Sequence, residues 1–590
     1  MLISGCMGKF LLGVIAGMIL LLILIGGGAL FFLSMRAKPP AISSGSTLIL
    51  HLTGDVPEKP AVDLSLPFLD ERSATTVEEV WNLLHRAAAD ARISAVLFEP
   101  EGVSAGWAKM EEIRADLEQF RKSGKPLIAY LKAPTTREYY MATACSKIYL
   151  SPSDLLDVKG LSLETMYFRN TLDKLGVQVD VEHAGKYKDY GDMFVRSSMS
   201  PETREVMTDL IDRIFGELIN AIARGRNKDA AAVRAAIDDG PFLAAEAKTA
   251  GLIDDLRYED QVLDELKAQL HQSELKKVTG RDYQDSLAAG AGVRNRIAWI
   301  VGEGSISRGG SITDFDVDGG LESDPFDRIL EKVGKDKDIK GVIVRIDSPG
   351  GEVAASDDMW RAMNELRKKK KVVISMSDYA ASGGYYMAMS GDPIVAYPAT
   401  LTGSIGVVFG KPNLHGLYDK LGITKDSVSR GRFARIESDY ESLTPEGREK
   451  LRHGIDANYE DFLSKVATAR KKPVPAIEPI AQGRVWLGSE ARANGLVDEI
   501  GGLDKAVDMI RSAAGIPKDQ EVNLAAYPAR RTILDLLTES RTPDSGDADL
   551  RAMLKMPGLE SLRTAWKDAG LRVWMRGGML RMLPFTIQIR

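Results

Sequence analysis

The longest apolar stretch of the chain runs from 10 to 33 and holds no charged side chain. At about 1.5 Å of rise per helical residue it is long enough to cross ~30 Å of hydrocarbon. It predicts a single N-terminal transmembrane helix. The apolar core of a cleaved signal peptide is shorter, about 7–15 residues, so the segment reads as a retained anchor. A tail over 1–9 precedes it and a linker over 34–46 follows. Beyond the linker the pattern changes. Apolar runs of strand length, such as GVIVRI ending at Ile346 and VVISM from Val372, alternate with segments of helical period. Met359, Met363 and Leu366 mark one helix face; Ile113, Leu117 and Phe120 mark another. Strands without polar alternation are buried on both sides, which predicts an α/β fold of mostly parallel sheets with crossover helices.

This pattern occurs twice. Tyr385-Tyr386-Met387-Ala388 repeats Tyr139-Tyr140-Met141-Ala142 at an offset of 246 residues (385 − 139). Gly431-Arg432-Phe433 repeats Gly185-Lys186-Tyr187 at the same offset. Gly495-Leu496-Val497-Asp498 then repeats Gly251-Leu252-Ile253-Asp254 at 244 (495 − 251). Two tandem repeats are predicted over 47–285 and 293–525, with a linker near 282–294 and a C-terminal extension over 526–590.

Charge and cysteines narrow the chemistry. A net charge of −6 gives no general footprint for nucleic acid. Cys6 and Cys145, the two cysteines, form no disulfide framework, and no Cys/His spacing fits a metal, so neither metal nor cofactor is expected. Lys9 on one side of the apolar stretch and Arg36 with Lys38 on the other leave the membrane orientation open. The last forty residues carry eight basic and two acidic side chains, interleaved with Trp566, Trp574, Met579 and Phe585. They suit either an anionic membrane surface or a helix and strand packed on the repeats.

The repeats differ where chemistry is expected. Repeat two has Asp347-Ser348-Pro349-Gly350-Gly351 directly after a strand, a turn whose bare amides suit an oxyanion hole. Repeat one has Glu101-Gly102-Val103-Ser104-Ala105 there. Repeat two also places Ser382-Gly383-Gly384 between a strand and an apolar helix, against Thr136-Arg137-Glu138 in repeat one. Ser382 reads either as a nucleophile or as an ordinary helix N-cap. A serine nucleophile needs a base, and none of the six histidines has a convincing context. Lysine is the alternative partner. Repeat one offers Gly185-Lys186-Tyr187-Lys188, whereas Ala434 stands at the second-repeat position of Lys188. If this segment is a strand, Lys186 points to the opposite face and to solvent. Each repeat thus keeps one half of a Ser–Lys pair. Whether the halves meet within one chain or between chains stays open.

IDSPGGEV, DYAASGGYY, LTGSIGV (401–407), GKYKD (185–189) and the paired GLxD repeat ends together resemble the signal peptide peptidase A family in its long, two-repeat bacterial form. The resemblance implies Clp-protease/crotonase-like repeats. It implies a serine endopeptidase with Ser382 as nucleophile and Lys188 as general base, and an oxyanion hole from Gly350, Gly351 and Gly383. It further implies cleaved signal peptides and other hydrophobic peptides as substrates, and a homotetramer. The chain would be held in the bacterial cytoplasmic membrane by 10–33, a single pass, with the repeats on the periplasmic side. Two rival readings of the glycine turns are a crotonase-like acyl-CoA enzyme and a non-catalytic membrane scaffold.

Overall fold

In the computed structural model of the chain, each repeat builds its own parallel sheet. The structure describes residues 40–59, 74–290, 295–308, 320–527, 579–582 and 588–589. Repeat one contributes β1 (Ser46–Asp55), β2 (Ile93–Ser104), β3 (Leu127–Leu131), β4 (Lys147–Leu150), β5 (Gln178–Ala184), β6 (Asp255–Leu256) and β7 (Lys277–Thr279). All but β5 form one sheet in the order β7-β1-β2-β3-β4-β6, with every ladder parallel. Repeat two contributes β8 (Arg296–Glu303), β9 (Ile339–Ser348), β10 (Gly350–Glu352), β11 (Val372–Ala381), β12 (Ile394–Ala396), β13 (Val407–Asn413), β14 (Glu499–Ile500) and β15 (Asn523–Tyr527). Six strands of its sheet run β15-β8-β9-β11-β12-β14, the same order as in repeat one, and two more, Leu401–Gly403 and Val485–Leu487, continue from the end of β11.

The shared motifs do the same work in both halves. The tyrosine hydroxyls of Tyr139 and Tyr385 donate to the carbonyls of Leu252 and Leu496 at 2.7 and 2.8 Å. Asp254 and Asp498, the last residues of the GLxD pairs, accept the strand amides of Ile148 and Ile394 at 2.7 and 2.8 Å. The motif closes the sheet end where the helical layer returns to it.

Helices α1 (Trp107–Arg121) and α2 (Val353–Arg367) are matching crossovers, and Ile113, Leu117 and Phe120, like Met359, Met363 and Leu366, lie in the cores. α1 departs from an amphipathic surface helix. Its Arg114 is buried inside repeat one against Thr143 and Ala221. Its charged residues Lys109, Glu111, Glu112 and Asp116 are buried as well, because the face opposite its own sheet meets repeat two. There Glu111 accepts the amide of Ala399 at 2.9 Å and Glu112 that of Leu503 at 2.8 Å.

A third sheet joins the halves. β5 leaves repeat one and pairs antiparallel with β13 over its full length, from Ala184↔Val407 to Gln178↔Asn413. A strand from the C-terminal extension, β16 (Met579–Met582), pairs with the other edge of β13 and with β10. Residues 588–589 pair with Leu163–Glu164 of repeat one. The rest of the extension lies outside the described residues, as does the apolar stretch 10–33. Among the described residues no helix is long and apolar enough to cross a membrane. The predicted linker is helical over Gly280–Gly290, since Tyr283 is buried against repeat one and its hydroxyl reaches Asp90 at 3.0 Å.

Candidate functional site

β11 ends at Ala381, and Ser382 follows before the short helix α3 (Gly383–Met387). Its backbone is at φ +54°, ψ −111°, a conformation costly for a residue with a side chain. Two bonds hold it there: its amide donates to Gly403 O at 2.8 Å, and its carbonyl accepts from Tyr386 N at 2.8 Å. Ser382 stands at the N-cap position, but its side chain makes no capping bond. Its hydroxyl lies instead 2.7 Å from Lys188 Nζ.

Lys188 comes from repeat one and reaches the second because β5 pairs with β13. After Ala184 the chain turns, and Tyr187 N donates to Gln482 O at 2.8 Å. Lys186 is exposed and Lys188 is 0 % exposed. The reason is a turn rather than strand alternation, since β5 has already ended. Two glycines of repeat two make room for the lysine: a Cβ on Gly483 would lie 2.6 Å from Lys188 Cβ, and one on Gly406 would lie 3.1 Å from its Cδ. The ammonium position has two further partners, Ser404 O and Ser404 Oγ, both at 2.9 Å. Ser404 belongs to LTGSIGV, a motif whose presence was legible and whose task was not. The motif supplies Gly403 O to Ser382, Ser404 to Lys188, and Gly406 as clearance.

The neighbouring Asp189 is buried and hydrogen-bonded to Thr203. Burial, then the charge of Asp192, pushes its carboxyl up to about 8, with Lys188 pulling the other way. At neutral pH it therefore sets little negative charge beside Lys188.

The glycine turn lies against the same place. Gly350 has φ +101° and its amide donates to Ser348 Oγ at 3.2 Å. A Cβ on Gly351 would lie 2.1 Å from Ile306 O, and one on Gly384 would lie 2.6 Å from Ser348 O. The two turns thus pack backbone to backbone. Gly383, the first residue of α3, stands beside them. The Ser382 amide is already committed to Gly403.

β16 occupies the gap between β10 and β13, with Gly350↔Met582, Gly351↔Arg581 and Val408↔Leu580 in register. Leu580 and Met582 cluster with Tyr190, Phe194 and Val408. A single extended strand fits this slot, and its walls are apolar.

At the equivalent place in repeat one, Thr135 caps the helix Thr136–Ala142. Glu138 accepts from Val103 N at 2.7 Å and from Thr135 N at 2.9 Å. Ala434, at the repeat-two position of Lys188, is exposed.

The sequence matches peptidase family S49 over residues 119–273 and 364–517. It is 36% identical over 516 residues to the chloroplastic serine protease SPPA of Arabidopsis thaliana, covering 84% of this chain and 73% of that one. It is 31% identical over 531 residues to Protease 4 of Salmonella typhi, covering 86% and 83%. To Protease 4 of Haemophilus influenzae it is 30% identical over 522 residues, covering 83% of each. Among solved structures, a mutant of a membrane-bound stomatin-specific protease aligns at 14% identity over 40% of this chain and 97% of its own, with a TM-score of 0.25.

Proposed function

The chain belongs to peptidase family S49 and is a serine protease, and on that premise we propose that it cuts peptide bonds with Ser382 as nucleophile and Lys188 as general base. The observation that carries this reading is the 2.7 Å contact between Lys188 Nζ and Ser382 Oγ, both side chains fully buried. A neutral amine has two hydrogens and one lone pair, and Ser404 O, Ser404 Oγ and Ser382 Oγ all stand within hydrogen-bond distance of Nζ. The hydrogens go to Ser404 O and Oγ, which leaves the lone pair for the Ser382 hydroxyl. Burial favours that neutral form.

In the proposed cycle Ser382 Oγ attacks the scissile carbonyl while its proton passes to Lys188 Nζ. The amides of Gly351 and Gly383 take the oxyanion. Gly350 joins them once it releases Ser348 Oγ. Lys188 then protonates the departing amine, and the acyl-enzyme is opened by a water that Lys188 deprotonates in turn.

We further propose that the substrate enters as a strand in the slot held here by β16. It would bond to β10 on one side and β13 on the other, with apolar side chains against Tyr190, Phe194 and Val408. Such a slot suits cleaved signal peptides and other hydrophobic peptides. The chain would meet them at the bacterial cytoplasmic membrane, anchored through 10–33 with its repeats on the periplasmic side.

The junction between repeats suggests how copies assemble. β5 pairs with β13 inside one chain. The equivalent segments, 424–430 and 161–167, do not pair with each other, and Val428 is 89 % exposed. Repeating the junction from chain to chain sets Val428 opposite Leu163 of the next copy, a heterologous contact that closes into a ring. A homotetramer is the ring we propose.

A fluorophosphonate probe tests the central reading. It should label wild-type enzyme at Ser382, label Ser382→Ala not at all, and label Lys188→Ala at least a hundredfold more slowly. An acyl-CoA enzyme or a scaffold would show no labelling at that serine.

A further inference from the structure

The two turns that frame Ser382 begin at an irregularity in the β9–β11 ladder. The strands run in register to Ile346↔Met376 and resume at Ser348↔Ala380. Residues 377–379 therefore oppose the single Asp347. Inside this bulge Asp347 Oδ1 accepts the Tyr379 amide at 3.0 Å, replacing the ladder bond that the bulge removes. Asp378 points the other way, out of its own repeat. Its carboxylate accepts the amides of Gly106 and Lys109 at 3.0 Å each, at the start of α1 in repeat one. The approach is close: a Cβ on Gly106 would lie 2.3 Å from that carboxylate.

One cation serves both aspartates. Lys109 Nζ is 2.8 Å from Asp347 Oδ2 and 4.0 Å from Asp378 Oδ2, with Glu303 at 3.9 Å. All three of Lys109, Asp347 and Asp378 are buried. Burial opposes the charge on Lys109, but the carboxylates of Asp347, Glu58, Asp378 and Glu303 outweigh it and hold the lysine well above its ordinary value. At the offset of 246, repeat one has Glu101 and Lys132 for the two aspartates, and repeat two has Ala355 for Lys109. Like the Ser–Lys pair, this triad exists once, across the repeats.

We propose that Lys109 is a positioning residue for peptide cleavage: by holding Asp347 and Asp378 it sets the spacing between the Ser382 turn and the glycine turn at 350–351. Ser348, which binds Gly350 and touches Gly384, follows Asp347 directly; Ser382 lies four residues beyond Asp378. Losing the ammonium leaves the carboxylates facing one another in a buried site, and the bulge that aims both turns opens. An oxyanion hole displaced by a fraction of an ångström loses rate more than affinity. The second repeat therefore depends on the first for its base and also for the shape of its catalytic turns.

This inference rests on the Ser382 reading, so Ser382→Ala is measured alongside. The test is turnover of a fluorogenic apolar peptide per folded chain, with folded chain counted by near-ultraviolet circular dichroism, for Lys109→Met and Lys109→Arg. We expect Lys109→Met to lower kcat at least tenfold with KM within threefold, and fluorophosphonate labelling to slow in proportion. A purely structural lysine would reduce the amount of folded enzyme and leave kcat per folded chain alone. A kcat within threefold of wild type, or a loss carried by KM, overturns the proposal. Should Lys109→Met not fold, Lys109→Arg decides by the same threefold criterion, since it keeps the charge but shifts it. If Ser382→Ala turns over like wild type, the dyad reading is what fails. If Ser382→Ala is dead and the Lys109 variants are unimpaired, only the positioning role falls.

Discussion

Glu138 of repeat one bridges its own two turns, taking the amide of Val103 at 2.7 Å with one carboxylate oxygen and that of Thr135 at 2.9 Å with the other. Repeat two has Gly384 at that position. A carboxylate fixed between the turns excludes a developing oxyanion from the same space. The site equivalent to that of Ser382, with Thr136 from repeat one and Ala434 from repeat two, therefore lacks more than a serine and a lysine. Restoring them as Thr136→Ser with Ala434→Lys, on an inactive Ser382→Ala chain, should give no measurable peptidase activity. Titration of wild type with a fluorophosphonate should stop at one label per chain, and two labels would refute the single-site reading.

Ser382→Ala and Lys188→Ala should each lower kcat by at least ~10³-fold, and the double variant should be no worse than either, because the pair acts as a unit. Ser404→Ala should cost about 10–100-fold, with the acidic limb of the pH–rate profile moved, since Ser404 orients the amine without bonding to substrate. Unfolding midpoints measured in parallel separate these losses from misfolding.

Stability should respond to pH through Glu111. Burial pushes its carboxyl up to about 8 from an ordinary 4.5. The folded state thus holds a proton that the unfolded chain releases. Its contribution is complete below about pH 4.5 and is lost as pH rises through about 8. Glu111→Gln, which keeps an oxygen for the Ala399 amide, should match wild type near pH 5. By pH 9 it should be more stable by on the order of a few kcal/mol. Equal urea midpoints at pH 9 would show that the carboxyl is not buried in this way.

The strand 579–582 occupies the slot between β10 and β13 that we propose for a substrate strand. An occupant tethered to the same chain competes at high effective concentration. Removing residues 579–590 should raise kcat/KM for a short apolar reporter peptide about fivefold or more and speed fluorophosphonate labelling. Unchanged values would place β16 outside the substrate's path.

Assembly has its own test. Val428→Asp sets a charge in the proposed chain-to-chain strand pair and should reduce the mass seen by light scattering from four chains toward one, with the secondary structure intact. A variant that stays at the wild-type mass removes 424–430 from the interface.

Much of the architecture was legible because it is written in local periods. Parallel strands buried on both faces read as unbroken apolar runs, and crossover helices show their inner stripe. A duplicated unit repeats both at a fixed offset, and six strands of each sheet follow the same order. The candidate dyad was legible for a different reason. With the fold held constant between repeats, the positions that diverged in complementary fashion, Ser382 against Thr136 and Lys188 against Ala434, stood out as candidates.

The sequence by itself therefore determined two α/β units and offered one half of a candidate Ser–Lys pair in each. Only the tertiary structure decided that the halves meet inside one chain. The physical reason is that strand edges carry no period of their own. β5 was free to pair with any exposed edge, and the choice of β13 follows from long-range hydrogen bonding and from the room that Gly406 and Gly483 leave for Lys188. For the same reason the bond of Ser404 to Lys188, the buried outer face of α1 and the clasp of Lys109 on Asp347 stayed hidden. Each joins residues that are remote in sequence and carry ordinary side chains. What distinguishes them is where the other repeat stands.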